Sequence, residues 1–244
     1  MTSLYRMNMA KGMDDWKCPD CHGRGTVNVK DGDRFKLVWC KTCARTGINA
    51  TAMEKVADKI AVTNSKLVED NELPSPDWDT LRNAIDASHT GGYYGTDWVE
   101  YANKLWDLMT SDKIDGTRAM ISTKYNKKTG SYEMDYIKNV LLRSLLDRGF
   151  HGHCYASTTI FGSELNRKRL ATDEFVVLDL DAPANPSITD KNSRAVDRVI
   201  NSVEADCAIY LIKRYNWNDG ADWNNFEDVR AHKLDELPSN GLPF

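Results

Sequence analysis

Four cysteines occur as two closely spaced pairs near the amino terminus of the 244-residue chain: Cys18 and Cys21, then Cys40 and Cys43. Two residues between paired cysteines let the backbone curl until both sulfurs face one ion about 2.3 Å away. The 18 residues between the pairs give the spacing typical of a four-thiolate zinc site. The sequence therefore predicts one structural Zn²⁺. A catalytic zinc is not expected, because four thiolates leave no position for water.

Glycines follow both cysteine pairs, at Gly23, Gly25 and Gly47. They permit tight turns and let backbone N–H groups approach the sulfurs. The intervening stretch TVNVKDGDRFKLVW alternates apolar and polar residues around Asp31–Asp33, which predicts a β-hairpin. His22 is expected at the surface rather than on the metal.

The residues around the cysteine pairs resemble a motif of a known protein family. CPDCHGRG resembles the Cys-x-x-Cys-x-Gly-x-Gly repeat of the zinc-binding region of DnaJ-type chaperones. CKTCARTG departs from that repeat, because Arg45 stands at the first glycine position and only Gly47 is kept. The resemblance covers residues 18–47 and implies that the four cysteines are zinc ligands. It implies no chaperone activity, since the chain has no His-Pro-Asp triplet.

Composition limits the class of protein. The chain is 41% hydrophobic and 28% charged, which is typical of a globular protein, and no apolar run is long enough to span a membrane. With no secretory leader in the sequence, we expect a cytoplasmic protein, in an infected bacterium if it is phage-encoded. Net charge is −4, but residues 1–50 carry an excess of four positive charges and residues 218–244 an excess of four negative ones. A basic head and an acidic tail on one chain indicate nucleic-acid contact with a self-masking or partner-binding tail, although ordinary surface variation would look the same.

The apolar patterns predict an α+β fold. We expect a zinc ribbon over residues 1–50, a helical segment over 51–112, an α+β body over 113–217 and an acidic, flexible tail over 218–244. The body is predicted to hold a mixed or antiparallel sheet of about five strands with helices on one face. A strand pair is expected around residues 126–130 and a basic loop at 163–174.

Basic and aromatic residues are interleaved in three places, and this mixture is typical of single-strand binding, in which cations follow the phosphates and rings stack on bases. The alternative is that the rings close the core edge and the cations are solvated. The candidates are Lys124, Tyr125, Lys127, Lys128, Tyr132, Arg167, Lys168, Arg169, Lys213, Arg214, Tyr215 and Trp217.

The end of the chain carries a second resemblance. Leu242, Pro243 and Phe244 follow the acidic residues Asp235 and Glu236. This ending is similar to the acidic Pro-Phe terminus of bacterial and phage single-stranded-DNA-binding proteins, which implies a partner-binding tail. The size and features of the chain also resemble single-strand-binding transcription cofactors of N4-like phages, which implies a phage or host polymerase as partner.

Two further groups could carry chemistry. Asp179 and Asp181 lie two residues apart at the end of a predicted strand, so both could face one Mg²⁺, although strand-edge charges are the simpler interpretation. His151 and His153 flank Gly152 and are expected to be surface histidines, since the sequence indicates no third ligand. No nucleophile elbow, P-loop or dinucleotide fingerprint occurs, so an enzyme is not favoured.

The leading hypothesis is a single-stranded-DNA-binding protein that serves replication or transcription, and the two resemblances imply that it is phage-encoded. A zinc-ribbon module that binds a polymerase or another machine is the first alternative. A Mg²⁺-dependent nuclease or nucleotidyl transferase built on Asp179 and Asp181 is the second.

Overall fold

The amino-terminal residues form a small unit built around a hairpin and two helices. A computed structural model describes residues 3–89, 97–123, 125–126, 131–158, 160, 164–180, 186–214 and 225–229. The chain divides into two compact units, Met1–Asp70 and Asn71–Phe244. The finer boundaries at residues 50, 112 and 217 stay predictions.

Unit 1 contains α1 (Leu4–Lys11), β1 (Thr26–Asp31), β2 (Arg34–Trp39) and α2 (Ala50–Asp70). Asn49 caps α2, because its side-chain oxygen accepts a 2.6 Å hydrogen bond from the Ala52 N–H. The two helices pack on each other around a small apolar cluster. Its buried members are Ala10, Ile48, Ala52, Val56 and Ile60.

The predicted hairpin is confirmed. β1 and β2 pair antiparallel from Thr26 opposite Trp39 to Asp31 opposite Arg34. Gly32 lies in the turn with φ of +62°, a conformation that glycine adopts without a Cβ penalty.

Unit 2 contains α3 (Trp78–His89), α4 (Asp97–Thr110), α5 (Glu133–Asp147), α6 (Glu164–Leu170) and α7 (Pro186–Ser202). Its main strands are β3 (Arg118–Thr123), β6 (Gly152–Ala156), β7 (Phe175–Asp179), β8 (Ala208–Arg214) and β9 (Glu227–Val229). They form one sheet in the order β6-β7-β8-β3-β9, and every described pairing in it is parallel. The predicted number of strands is confirmed, but the predicted mixed or antiparallel pairing is wrong. Crossovers that contain α5, α6 and α7 lead from β3 to β6, from β6 to β7 and from β7 to β8, and such crossovers produce parallel strands.

Helices cover both faces of this sheet, so the prediction of helices on one face is also wrong. Val176 and Leu178 of β7 share a core cluster with Leu170 of α6 and Val196 of α7. Asp179, on the opposite face of the same strand, contacts Lys138 of α5. Helices α3, α4 and α5 contact one another, and α6 contacts α7. Both faces of β7 are therefore buried, as is usual in a parallel sheet.

Three local predictions differ from the structure. The strands expected around residues 126–130 are reduced to the two-residue pair β4 (Tyr125–Asn126) and β5 (Ser131–Tyr132), because α5 already begins at Glu133. The expected basic loop contains α6, which is made of good helix formers such as Leu and Arg. β9 falls within the segment assigned to the tail and pairs with β3.

A glycine cap follows the end of α5 at Asp147, because Gly149 has a φ of +78°. Its N–H bonds the Leu146 carbonyl, and the Phe150 N–H bonds the Leu145 carbonyl, which is the Schellman arrangement. None of the helices in the described part of the chain is both long and apolar enough to cross a membrane.

Candidate metal centre and hairpin surface

The four clustered cysteines come together in unit 1. All four are buried, and their sulfurs lie within 4.8 Å of one another. The Sγ atoms of Cys18 and Cys40 are 3.8 Å apart, and those of Cys21 and Cys43 are 3.7 Å apart. These separations suit four thiolates around one tetrahedral ion. The cluster could therefore hold a metal ion such as zinc.

The two cysteine turns repeat each other in backbone geometry. His22, Gly23 and Gly25 have φ values of 50°, 87° and 71°. Ala44, Arg45 and Gly47 follow with 46°, 77° and 76°. Arg45 thus adopts the left-handed conformation of the glycine that it replaces, at a cost for a residue with a Cβ.

The turns also bind each other reciprocally. The Cys18 N–H donates to the Gly47 carbonyl at 2.8 Å, and the Cys40 N–H donates to the Gly25 carbonyl at 2.9 Å. A Cβ on Gly47 would lie 2.4 Å from the Gly23 carbonyl oxygen. The second glycine of each turn is therefore required by this close approach as well as by its φ.

Backbone donors face the sulfurs. The Gly25 N–H lies 3.2 Å from the Cys21 sulfur, and the Gly47 N–H lies 3.2 Å from that of Cys43. Burial dominates at Cys43 and raises the pKa of its thiol to about 11. At Cys21 burial acts in the same direction, but hydrogen bonds from Gly25 and from the neighbouring thiols outweigh it and lower the pKa to about 7.

One face of the hairpin is apolar and exposed. Phe35, Leu37 and Trp39 alternate along β2 and are 74%, 66% and 57% exposed. Their partners on β1 are Lys30, Asn28 and Thr26, which point to the same face. The Arg45 guanidinium lies over the Trp39 ring, 5.0 Å from its centroid. We call Lys30, Phe35, Leu37, Trp39 and Arg45 the hairpin face.

The opposite face of the hairpin differs in composition. It carries Val27, which packs against the cysteines, and the pair Asp31 and Arg34. The six paired residues on the side of the hairpin face include Lys30 and no carboxylate. The alternation of Phe35, Leu37 and Trp39 indicated a strand correctly. It did not show that this side lies exposed, and so the hairpin face was missed as a candidate surface.

The predicted nucleic-acid residues lie at two opposite edges of the unit 2 sheet. Thr123, at the end of β3, pairs with Arg214, at the end of β8. Lys213 and Arg214 therefore lie at the carboxyl end of β8. The backbone of Tyr125, which pairs with Tyr132, follows the carboxyl end of the adjacent strand β3. The exposed group Arg167, Lys168 and Arg169 ends α6, close to the amino-terminal start of β7. Lys124, Lys127, Lys128, Tyr215 and Trp217 lie outside the described residues.

The carboxylate of Asp179 is held by a lysine. The Lys138 Nζ lies 2.9 Å from Asp179 Oδ2 and 3.2 Å from Asp135 Oδ1. Burial alone would lower the pKa of Lys138, but these carboxylates raise it above its ordinary value. Asp181 lies outside the described residues, as do the tail residues Asp235, Glu236, Leu242, Pro243 and Phe244. The magnesium alternative and the partner-binding tail therefore stay predictions.

His151 and His153 are not at the surface, although the sequence led us to expect them there. His151 is 8% exposed, and the His153 side chain is 14% exposed. The structure also supplies the third ligand type that the sequence did not indicate, because Asp173 lies beside them. Asp173 precedes β7 and is about twenty residues away in sequence, so no local spacing could reveal it.

A scan against protein-family models finds no match to this chain, and a search of curated proteins finds none either.

Proposed function

We propose that this protein binds single-stranded DNA through the hairpin face and serves as an accessory factor in replication or transcription. The observation that carries the proposal is the exposure of Phe35 and Trp39 beside Lys30 and Arg45. Rings of this kind stack on unpaired bases while neighbouring cations meet the phosphates. The phage setting rests on the sequence resemblances alone.

The arrangement of the hairpin supports this use. Phe35 and Lys30 are directly opposite each other, so a ring and a cation stand side by side at the tip of the hairpin. Trp39 lies at the other end of the same row, and Arg45 adds a second cation there. A strand running along β2 would meet a ring at each end and a positive charge near each ring. The absence of a carboxylate among the paired residues on this side removes a source of repulsion from phosphate.

Zinc has a structural role in this proposal. Both strands of the hairpin are largely exposed, with only Thr26, Val27 and Val38 partly buried. A two-stranded hairpin of that kind is marginal in water without further support. An ion held by Cys18, Cys21, Cys40 and Cys43 would join the start of β1 to the end of β2 at the base of the hairpin and so support the strand that carries the rings.

The carboxyl edge of β3 and β8 is a second contact region in this proposal. In open parallel sheets, ligands bind outside the carboxyl ends of the strands. Lys213 and Arg214 follow that edge on β8, beside the end of β3. Arg167, Lys168 and Arg169 lie toward the opposite edge, so we assign them no part in the same contact.

The proposal is tested by fluorescence anisotropy with labelled single- and double-stranded DNA oligonucleotides at fixed salt. We expect tighter binding of the single strand. Phe35→Ala should weaken it by about 1–3 kcal/mol, the value of one stacked base, or about 5- to 150-fold in Kd. Lys30→Ala should weaken binding and reduce the salt dependence by about one phosphate contact.

Val29→Ala is the matched control, because Val29 is 47% exposed on the opposite face of the same hairpin. It should leave the Kd for the single strand unchanged. Equal affinity for single and double strands, or equal effects of Phe35→Ala and Val29→Ala, would contradict the proposal. Retained pull-down of a polymerase subunit with no affinity for DNA would instead favour the protein-binding alternative.

A further inference from the structure

A second group of metal-ligand side chains lies in unit 2, at the edge of the sheet where β6 and β7 begin. His151 precedes β6, His153 lies on β6, and Asp173 precedes β7. One ligand atom from each of the three lies within 4.8 Å of the others. The group is separate from the cysteine cluster and has no part in the proposed nucleic-acid contact.

The carboxylate of Asp173 is oriented by two neighbours. Its Oδ1 lies 2.8 Å from His153 Nδ1, and its Oδ2 accepts a 2.6 Å hydrogen bond from the Tyr155 hydroxyl. Because Tyr155 occupies Oδ2, Oδ1 is the oxygen turned toward the histidines. Asp173 is 3% exposed, so water competes little for either oxygen.

The histidines are placed by the backbone around them. The His151 N–H donates to Glu174 Oε2 at 2.9 Å, which ties the start of β6 to the start of β7. The two imidazole rings meet edge to face, with centroids 5.3 Å apart. Both rings therefore stand at the same corner of the sheet as the Asp173 carboxylate.

We propose that His151, His153 and Asp173 bind a divalent transition-metal ion, such as Zn²⁺ or Co²⁺. Two imidazoles and a carboxylate are ligands that these ions accept, and three protein ligands leave a fourth position for water or another ligand. Ligand distances of about 2.0–2.1 Å require the ligand atoms to stand roughly 3.3 Å apart, so the three side chains, whose ligand atoms lie within 4.8 Å of one another, would adjust around the ion. Tyr155 then serves as the outer partner that holds the ligating carboxylate.

Charge at this corner favours a cation. Asp173 and Glu174 are consecutive carboxylates, and both are buried. Burying two carboxylates side by side is costly unless positive charge accompanies them. An ion bound by Asp173 would offset that cost, beside the positive charge of Arg169, which also acts on Tyr155.

The test is a Co²⁺ titration of the metal-free full chain, followed by absorption. We expect the chain to bind two equivalents of Co²⁺. The cysteine cluster gives an intense thiolate-to-cobalt band, whereas the histidine site gives only weak visible bands. His153→Gln and Asp173→Asn should remove the second equivalent and leave the thiolate band intact. Tyr155→Phe should weaken the second equivalent by about 10–100-fold, as loss of an outer partner does.

His22→Gln is the matched control, since His22 is an exposed histidine beside the cysteine cluster. It should retain both equivalents. Circular dichroism checks that each variant is folded, and imidazole resonances of the unsubstituted chain provide a second measurement during a Zn²⁺ titration. Saturation at one equivalent, or imidazole resonances of His151 and His153 that do not move, would overturn the proposal.

Discussion

The strands of unit 1 and unit 2 bury very different amounts of side chain. In β7, Phe175, Val176, Val177 and Leu178 are each 0% exposed. In β2, Phe35 is 74% exposed, although this strand also carries large apolar side chains. The sheet of unit 2 is covered on both faces by helices, whereas neither face of the hairpin is buried along its length.

This contrast indicates two sources of stability within one chain. Unit 2 depends on apolar area removed from water, as most folded proteins do. The hairpin of unit 1 buries mainly its four cysteines, with Val27 packed against them. We therefore expect its fold to depend on a metal ion that the cysteines could hold, and we expect substitutions of the same type to have different effects in the two units.

The largest expected effect comes from one cysteine. Cys40→Ser should abolish the thiolate–cobalt band and the hydrogen-exchange protection of residues 18–48, because binding free energy at such a site is folding free energy. Cys207→Ala is the matched change in unit 2, where Cys207 is 1% exposed in the apolar cluster. It should cost about 1 kcal/mol and leave the band unchanged. Full protection of residues 18–48 in Cys40→Ser would contradict a metal-dependent unit 1.

A glycine substitution separates backbone geometry from ligand chemistry. Gly47→Ala removes no ligand but forces a Cβ to within 2.4 Å of the Gly23 carbonyl oxygen, so we expect weakened metal binding and loss of protection at residues 18–48. Gly32→Ala is the control, with a φ of +62° and nothing within 4 Å of the new Cβ. It should cost about 1–2 kcal/mol and keep the metal. Competition with a chelator measures the metal affinity of both variants. Equal metal affinities would show that the chain relieves the close approach at Gly47 at little cost.

A core truncation should affect unit 2 alone. Leu211→Ala in β8 removes a fully buried side chain and should lower the free energy of unfolding of unit 2 by about 2–5 kcal/mol. The thiolate–cobalt band should be unaffected. Val62→Ala in α2, where Val62 is 73% exposed, should change stability by less than about 0.5 kcal/mol. Urea unfolding, monitored by hydrogen exchange, measures the stability of each unit separately. Loss of the thiolate–cobalt band in Leu211→Ala would show that the two units do not unfold independently.

The smallest expected effect concerns the residue that replaces a glycine. Arg45→Gly relieves a left-handed φ of 77°, worth about 1–2 kcal/mol, but removes the contact with Trp39, worth about 0.5–1 kcal/mol. The net change in metal affinity, measured by competition with a chelator, should be small. Ala44→Gly has the same conformational benefit at φ of 46° and no ring contact to lose, so it should stabilise the cluster more. The reverse ranking would mean that the Arg45–Trp39 contact outweighs the strain.

The cysteine cluster could be predicted from the sequence because its geometry is local. Two residues separate the cysteines of each pair, and the glycines and hairpin lie between or beside them. The pairing of the unit 2 sheet could not be predicted in this way. β3 pairs with β8, whose residues lie far along the chain, and a buried apolar strand gives the same pattern in a parallel and in an antiparallel sheet.

The histidine group and the hairpin face were missed for related physical reasons. Asp173 joins His151 and His153 only because β6 and β7 are neighbours in the sheet. The exposure of Phe35 and Trp39 depends on the lack of a covering element, and alternation along one strand carries no information about what packs against it. Spacing within a turn is visible in sequence, whereas contacts between distant elements are not.

The strand order of unit 2 bears on how the chain matures. β3 stands between β8 and β9, and both of its partners are made later than β3 itself. During translation the apolar segment Arg118–Thr123 must wait, without a ladder to join, until residues near 214 and then 229 have left the ribosome. Pairing over such distances is slow and exposes aggregation-prone surface. A nascent chain halted between β7 and β8 should therefore need chaperone protection, while the cysteine hairpin can mature as soon as it emerges.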